Sequence, residues 1–416
     1  MSAELVDHAG RPRVAITGLG VKAPAGNDVA SFSAALMAAE GTAARRITLF
    51  DPSVLPVQFA CEVVDYDPVE YFGPKEVRRA DRNAHFAYGA AADALKDAGE
   101  IGADPSRCAV ITGTGVGGIS TLEEQTGIAH NKGPMRVTPF FVPMMMSNAA
   151  AGLISMQLGW TGPNFSIASA CASGTHALGE AARLIRDGMS DAVMAGGCEA
   201  SITTVTVAAF ARMGALSSRN DEPARASRPF DVDRDGFVMG EGACFFVLEP
   251  LERARARGAD VYAEIVGYGR NADAYHITMP SPGGAGAAAC MQAALDDAGL
   301  AASEIGHVNA HGTSTPMNDA AEAEAIRKVF GDDSPPVTST KGVTGHLIGA
   351  AGAVEALAGV LAIREGRVQP TANYETPDPE LEIDIVAGSP REIGPKPVLS
   401  NSFGFGGHNA TILLAP

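Results

Sequence analysis

The sequence predicts an α/β fold whose sheets are covered by helices on both faces. Two observations lead to this prediction: an internal repeat, and short apolar runs typical of buried strands that alternate with helical segments. The composition agrees with it. Of the 416 residues, 46% are hydrophobic and 19% are charged, which is enough apolar material for a large buried core.

The first part of the repeat reads as a helix, a polar loop and a buried strand. Residues 93–99 (DALKDAG) recur as residues 293–299 (AALDDAG), and a short polar loop follows each copy. An apolar run that ends in Gly-Thr comes next, at residues 110–114 in one copy and 308–313 in the other. The same order of elements in both copies predicts two similar structural units.

The second part of the repeat places two reactive side chains at corresponding positions. Ser169-Ala170-Cys171 and Ser339-Thr340-Lys341 each precede a helix rich in glycine and alanine. We therefore expect Cys171 and Lys341 at matching corners of the two units. The turn at residues 258–260 is the predicted boundary, which divides the chain into an N-terminal half (1–259) with Cys171 and a C-terminal half (260–416) with His311 and His346.

Charge and cysteine content argue against several classes of function. The net charge of −17 disfavours binding to nucleic acid, which needs a basic surface. Residues 137–179 contain no charged side chain, but prolines and amides interrupt the run below the length of a membrane span. The six cysteines form no CxxC pair, and the N-terminus shows no secretory signal. We predict a cytoplasmic protein without a membrane segment.

Cys171 is the best candidate for a nucleophile. Small residues surround it in the segment ASACASG, so another molecule's thioester can approach closely. The predicted helix that follows would stabilise a thiolate, and a strand-to-helix corner offers free backbone amides to an oxyanion. A buried structural role is the ordinary interpretation for the other five cysteines.

Two histidines lie in Gly/Thr-rich turns at strand–helix junctions. His311 is in NAHGTSTP and His346 is in KGVTGHLIGAAG. Zinc is the alternative use of one cysteine and two histidines, but zinc ligands usually come in closely spaced pairs. Here the three residues are 140 and 35 positions apart, so we favour chemistry without a metal.

Five motifs together resemble the type II β-ketoacyl-acyl-carrier-protein synthases, elongating condensing enzymes of the thiolase fold. They are ACASGTHALG around Cys171, NAHGTSTP around His311, STKGVTGHLIGAAGA around Lys341 and His346, SRPFDVDRDGFVMGEGA at residues 227–243, and NSFGFGGHN near the end. The resemblance covers essentially the whole chain. It implies two βαβαβαββ halves packed in five layers (αβαβα).

The resemblance also implies a two-step reaction. Cys171 would accept an acyl group from acyl-carrier protein, and His311 and His346 would then promote decarboxylation of malonyl-acyl-carrier protein. Backbone amides of Cys171 and Phe405 would form the oxyanion hole, and Lys341 would act electrostatically, paired with Glu355. No bound cofactor is implied, because the carrier protein delivers its own phosphopantetheine arm.

Further positions follow from the resemblance as expectations. Thr313 and Thr315 would hold the phosphopantetheine arm. The acyl pocket and its gate would include Phe405, Phe403, Val116 and Phe141. The acidic carrier protein would contact the basic residues Lys75, Arg78, Arg79 and Arg136. The resemblance further implies a dimer, with an identical chain or with a partner similar to a chain-length factor.

Rival functions remain at this stage. A thiolase needs a second cysteine near the C-terminus, and the chain has none after Cys290. Initiating synthases place Asn where this chain has His346. A ketosynthase subunit of a type II polyketide or polyene synthase, active only with a chain-length-factor partner, stays open beside fatty-acid elongation. A non-catalytic scaffold subunit is the alternative of another class, and it leaves the Cys-His-His-Lys set unexplained.

Overall fold

The computed structural model describes residues 3–416, which build a ten-stranded sheet, short two-stranded ribbons and the helices around them. The strands are β1 (Val14–Lys22), β2 (Arg45–Arg46), β3 (Phe59–Ala60), β4 (Cys108–Gly113), β5 (Asn164–Ile167), β6 (Ala192–Glu199), β7 (Gly242–Pro250), β8 (Ala263–Ala272), β9 (His307–Asn309), β10 (Val337–Thr338), β11 (Arg367–Val368), β12 (Arg391–Glu392), β13 (Val398–Gly404) and β14 (His408–Ala415).

The helices cover the faces of this sheet. They are α1 (Val29–Ala38), α2 (Pro74–Val77), α3 (Arg82–Ala98), α4 (Ile119–Lys132), α5 (Phe141–Met145), α6 (Ala149–Leu158), α7 (Ser173–Arg186), α8 (Thr204–Met213), α9 (Leu251–Ala256), α10 (Ala285–Ala298), α11 (Pro316–Phe330), α12 (Lys341–Thr344) and α13 (Ala351–Glu365). None of the helices within residues 3–416 has the length and apolar character that a membrane span requires.

The main sheet consists of two five-stranded halves with the same order. It runs β5-β4-β6-β7-β1 in one half and β10-β9-β13-β14-β8 in the other, and the parallel and antiparallel pairings correspond strand by strand. The halves join where β1 pairs with β8 through residues 14–16 and 263–265. The internal repeat of the sequence is therefore a repeat of topology.

Glycines in the first strand of each half set the distance to the covering helix. A Cβ at Gly18 would lie 2.2 Å from the carbonyl oxygen of Ala94 on α3. The corresponding Cβ at Gly267 would lie 2.3 Å from the carbonyl oxygen of Ala294 on α10. Only glycine permits this backbone-to-backbone approach. The same two Cβ positions lie 2.8 Å from Cβ of Ala98 and 2.9 Å from Cβ of Ala298, so a larger side chain would not fit at this alanine of the repeated DALKDAG and AALDDAG segments.

The layers alternate between helices and sheet. The largest apolar core surrounds α7 and α13, which lie between the two halves of the sheet. Helices α3 and α6 cover the outer face of the N-terminal half, and α10 with α11 covers the outer face of the C-terminal half. The predicted α/β fold with five layers is thereby confirmed.

Candidate active site

The nucleophile candidate Cys171 lies in a strained turn between β5 and α7. A 3-10 turn spans Ala170–Ala172, and Ala170 has a φ of +50°, a conformation that alanine rarely adopts. The Ser173 hydroxyl accepts a hydrogen bond from the amide of Ser169 at 2.9 Å and donates one to the carbonyl of Ala170 at 2.7 Å. These bonds hold Cys171 two residues before the start of α7, where the helix dipole favours a thiolate.

His311 is held by a buried carboxylate from α11. Glu322 accepts hydrogen bonds from the backbone amides of His311 and Gly312, both at 2.8 Å. Burial raises the pKa of Glu322 to about 7, while these two amides act in the opposite direction. Gly312 has a φ of +38°, so the chain turns sharply just after the histidine. The His311 backbone is thus held by the hydrogen bonds to Glu322 and by the turn at Gly312.

His346 belongs to the C-terminal half but is anchored to the N-terminal half. Its amide donates to the carbonyl of Val238 at 2.7 Å, and its carbonyl accepts from Gly240 at 2.8 Å. These bonds bring Nε2 of His346 to 3.1 Å from Sγ of Cys171. The ring centroids of His311 and His346 are 5.3 Å apart. The structure therefore unites the three residues that the sequence placed far apart.

Both imidazoles are neutral near pH 7. Burial lowers the pKa of His311 well below its ordinary value, and the positive charge of Lys341 lowers it further. Burial and the same lysine lower the pKa of His346 in the same way. A neutral imidazole can donate one N–H to a developing oxyanion without carrying a charge at rest.

Lys341 fixes the tautomer of His311. Its Nζ lies 3.3 Å from Nδ1 of His311 and 2.6 Å from the His311 carbonyl oxygen, and it forms an ion pair with Glu355. A lysine ammonium has only donors, so Nδ1 of His311 must be the acceptor. The proton of the imidazole is then on Nε2. Burial raises the pKa of Glu355, and Lys341 counteracts that shift.

Burial outweighs the nearby positive charge and donors in setting the pKa of the Cys171 thiol. Burial raises the pKa of the thiol to about 12, whereas Lys341 and the backbone amide of Phe405 both lower it. The Phe405 amide is directed at the sulfur, which is the position expected of an oxyanion donor. Gly404 makes this approach possible, since a Cβ there would lie 2.8 Å from the carbonyl oxygen of Ser169.

A cavity of about 470 Å³ opens onto these residues. Of the residues predicted from the resemblance, those that line it are Cys171, His311, His346, Thr313, Thr315, Phe403, Phe405 and Val116. The hydroxyls of Thr313 and Thr315 are 2.9 Å apart. Phe141 begins α5 and is not among the lining residues within the described part of the chain.

Two family models match the chain. The model described as "Beta-ketoacyl synthase, N-terminal domain" matches residues 11–254, and the one described as "Beta-ketoacyl synthase, C-terminal domain" matches residues 262–375. The chain belongs to the β-ketoacyl synthase family. Membership also confirms the thiolase-type interpretation of the fold.

Individual relatives of this β-ketoacyl synthase agree over nearly the full length. It is 48% identical to the 3-oxoacyl-[acyl-carrier-protein] synthase 2 of Synechocystis sp. over 97% of both chains. It is 46% identical to the protein of the same name from Coxiella burnetii, over 97% of this chain and 98% of that one. A solved β-ketoacyl synthase from Burkholderia phymatum is 35% identical, with a TM-score of 0.91 over 97% and 99% of the two chains. The solved ishigamide ketosynthase/chain length factor is 36% identical, with a TM-score of 0.89 over the same shares.

The spacing argument against a metal is weakened by the structure of the synthase. The ligand atoms of Cys171, His311 and His346 all lie within 4.8 Å of one another, which is close enough for a shared ion. A different observation opposes a cation: the Lys341 ammonium lies beside His311, where metal-binding histidines usually donate to a carboxylate or carbonyl. The donor set therefore fits a metal poorly.

The basic residues predicted to contact a carrier protein lie on neighbouring surface segments. Lys75 is in α2, Arg78 and Arg79 follow it directly, and Arg136 ends the 3-10 turn Pro134–Arg136. The guanidinium of Arg79 lies over the ring of Phe140 at 4.9 Å, which connects the two segments.

Sequence reasoning assigned no role to two buried glutamates of the synthase. Glu322 holds the His311 turn, and Glu199 ends β6 beside the cavity, fully buried. The available signal was a charged residue at the end of an apolar strand, AVMAGGCE in the case of Glu199. A charged residue at a strand end is usually exposed, so that signal was not specific.

Proposed function

We propose that this β-ketoacyl synthase elongates an acyl chain by two carbons through decarboxylative Claisen condensation with malonyl-acyl-carrier protein. The observation that carries the proposal is the buried set Cys171, His346 and His311, with Sγ 3.1 Å from Nε2 of His346. The names of the relatives from Synechocystis and Coxiella support a substrate carried on acyl-carrier protein. In this reading the chain is an acyltransferase-type condensing enzyme.

The first half-reaction transfers an acyl group to Cys171. The sulfur attacks the acyl thioester, the new thioester forms on Sγ, and the carrier's thiol leaves. The amides of Cys171 and Phe405 stabilise the oxyanion, since the Phe405 amide is already directed at the sulfur. The proton of the Cys171 thiol passes to the leaving sulfur of the carrier, while His346 keeps its own proton on Nε2, 3.1 Å from Sγ.

The second half-reaction uses both imidazoles. The bond between Cα of the malonyl group and its carboxylate breaks, carbon dioxide leaves, and the electron pair forms an enolate on the thioester. His311 and His346 donate to the enolate oxygen, and Lys341 keeps the His311 proton on Nε2. The enolate carbon then attacks the acyl thioester on Cys171, so that a carbon–carbon bond forms and the thiolate is released.

The remaining roles are proposed from the residues that line the cavity. We propose that Thr313 and Thr315 bind the phosphopantetheine arm of the substrate, and that Phe405, Phe403 and Val116 shape the acyl pocket, because all five line the cavity. No resident cofactor has a part in these steps. Phe141 stays a prediction for a pocket extended by a partner chain.

The partner protein is proposed to dock on the basic residues Lys75, Arg78, Arg79 and Arg136. Within residues 3–416 none of the four forms an ion pair with a carboxylate, whereas Lys22 and most arginines do. Unpaired cations on a protein of net charge −17 are available to an acidic carrier. One solved relative, 31% identical, is described as a type II PKS acyl-carrier protein in complex with its ketosynthase.

A dimer is proposed from the unequal edges of the sheet. The segment 384–386 hydrogen-bonds to Val337 of β10 and covers that edge, and β10 is buried. The opposite edge strand, β5, is exposed at Asn164 and Phe165. An exposed apolar edge strand invites pairing with another chain. Analytical ultracentrifugation tests this: a dimer of the purified chain supports an identical partner.

The polyketide alternative deserves a specific test because two solved relatives are described as ketosynthases with a chain length factor, at 36% and 26% identity. A monomer that becomes active only with such a partner would favour it.

We also propose the division at residues 259/260, since the family models leave residues 255–261 unmatched. A cytoplasmic location stays a prediction.

Intact-protein mass spectrometry tests the function directly. The chain is mixed with a series of acyl-carrier thioesters, and malonyl-carrier protein is then added. We expect an acyl adduct on the wild type and none on Cys171→Ala, followed by a product two carbons longer. A folded wild-type protein that no donor acylates would overturn the stand-alone synthase.

A further inference from the structure

Glu199 is a buried carboxylate that the reaction above does not use. It ends β6, is inaccessible to solvent, and lies close enough to Cys171 to influence the charge of the sulfur. Burial raises the pKa of Glu199 to about 7, and backbone amides and a hydroxyl directed at it oppose that shift. A buried carboxylate at an apolar strand end is costly unless it has a specific set of donors.

The donors to Glu199 come from two different loops. In the first loop, residues 114–117, the Gly115 amide donates to Oε2 at 2.7 Å and the Thr114 hydroxyl donates to Oε1 at 3.2 Å. In the second loop, residues 346–350, the Gly349 amide donates to the same Oε2 at 3.1 Å. One carboxylate thus connects the two loops.

The two loops meet without side chains between them. A Cβ at Gly349 would lie 2.2 Å from the amide nitrogen of Gly115, and a Cβ at Gly115 would lie 3.0 Å from a methyl of Ile348. Ile348 has a φ of +47°, which is a strained conformation for a β-branched residue. The Glu199 carboxylate accepts hydrogen bonds from both loops at this point of contact, so it links them where they are closest.

Each loop brings one apolar side chain to the cavity. Val116 and Ile348 both line it together with Cys171. His346, on the second loop, has separate anchors in the bonds to Val238 and Gly240. Loss of the Glu199 contacts is therefore expected to alter the position of Val116 and Ile348 more than that of His346.

We propose that Glu199 is a positioning residue that determines acyl-chain selectivity by holding Val116 and Ile348 at the entrance of the acyl pocket. This inference rests on the proposed function. It assigns selectivity to a side chain that contacts neither the acyl group nor the reacting atoms. Val116 and Ile348 form part of the cavity wall, so a shift of either side chain is expected to affect a long acyl chain more than a short one.

The test compares Glu199→Gln with wild type in acylation of Cys171 by long-chain and short-chain acyl-carrier proteins. The glutamine keeps the size of the side chain and removes its charge; with its oxygen on the Gly115 and Gly349 amides, its NH2 group replaces the oxygen that accepts from the Thr114 hydroxyl. We expect the ratio of kcat/KM for the long donor to that for the short donor to change by about tenfold, as changes in pocket shape commonly produce. Alkylation of Cys171 by iodoacetamide should not slow, because the negative charge of Glu199 raises the pKa of the thiol and its removal acts in the opposite direction.

Glu249→Gln is the matched control. Glu249 is also a fully buried carboxylate on a strand of the same half, but it binds Thr17 and Arg257 far along the sheet. The Glu249→Gln variant should lower the midpoint of thermal unfolding without changing the ratio of kcat/KM for the long donor to that for the short donor. Thr114→Val is the second variant, since it removes one donor to Glu199 and the acceptor of the Gly117 amide, and it should change the ratio in the same direction by about threefold.

The outcomes separate the two proposals. The inference would be overturned if the rates in folded Glu199→Gln fell equally for both donors and the ratio of kcat/KM values in Thr114→Val stayed unchanged. That result would give Glu199 a purely structural role. If Glu199→Gln does not fold, the ratio in Thr114→Val decides. A wild-type protein that is inert with every donor would instead overturn the proposed function.

Discussion

Lys341 gives the sharpest test of how the site works, because its ammonium serves stability and chemistry at once. Nζ contacts Glu355, the His311 carbonyl oxygen and Nδ1 of His311, and both ends of the ion pair are 1% exposed. Lys341→Met keeps the length of the side chain but leaves the Glu355 carboxylate without its partner. Removal of one member of a buried ion pair costs about 3–5 kcal/mol of unfolding free energy.

The chemical effect is separate from this loss of stability. Without the ammonium, the proton of His311 is no longer restricted to Nε2, and the enolate loses one oriented donor. We expect malonyl decarboxylation to slow by about 100-fold or more, the range of a positioned proton donor. Lys341→Met/Glu355→Gln removes the unpaired charge, so it should recover most of the unfolding free energy and none of the decarboxylation rate.

The assays are urea unfolding and release of carbon dioxide from malonyl-carrier protein. Lys22→Met is the control, since Lys22 is a second buried lysine, paired with Asp93 away from the cavity. It should lose stability and keep its decarboxylation rate relative to folded protein. A double variant at position 341 and 355 that decarboxylates at the wild-type rate would refute the tautomer argument and leave Lys341 with a structural role.

Three further predictions concern metal, carrier and pH. EDTA should leave condensation unchanged; a loss that Zn²⁺ restores would contradict metal-free chemistry. Arg79→Glu should raise KM for acyl-carrier protein about tenfold but leave a small acyl thioester unaffected, and equal effects on both substrates would rule out a docking role. Burial lowers the pKa of His307 to about 3, below its ordinary value of 6.5, so its contribution to stability is complete above pH 6.5 and is lost as the pH falls toward 3. His307→Gln should therefore reduce the stability difference between pH 7 and pH 4.5 by about 3 kcal/mol in paired urea titrations, and an unchanged difference would contradict the assignment.

The sequence predicted the fold well because its repeated segments carry backbone constraints. The pairs Gly18 with Ala94 and Gly267 with Ala294 approach so closely that few other residues fit, and such positions remain recognisable in the sequence. The motifs around Cys171 and His311 were recognisable for a similar reason, since each combines a sharp turn with a reactive side chain.

The supporting carboxylates were not predictable in the same way. Glu199 contacts two loops that are distant in sequence, residues 114–117 and 346–350, whereas Glu322 contacts residues 311–312, about one element before it. Their partners are backbone amides, which every residue type supplies, so nothing in the partner sequence indicates the contact. The spacing argument against a metal was weak for a related reason, because spacing along the chain does not limit spacing in a fold built from two halves.

The matching corners of the two halves have a consequence for how the site is assembled. Cys171 and Lys341 each follow the third main-sheet strand of their own half; Cys171 contacts His346, and Lys341 contacts His311. The repeated topology therefore supplies one site with a thiol from the first half and an ammonium from the second.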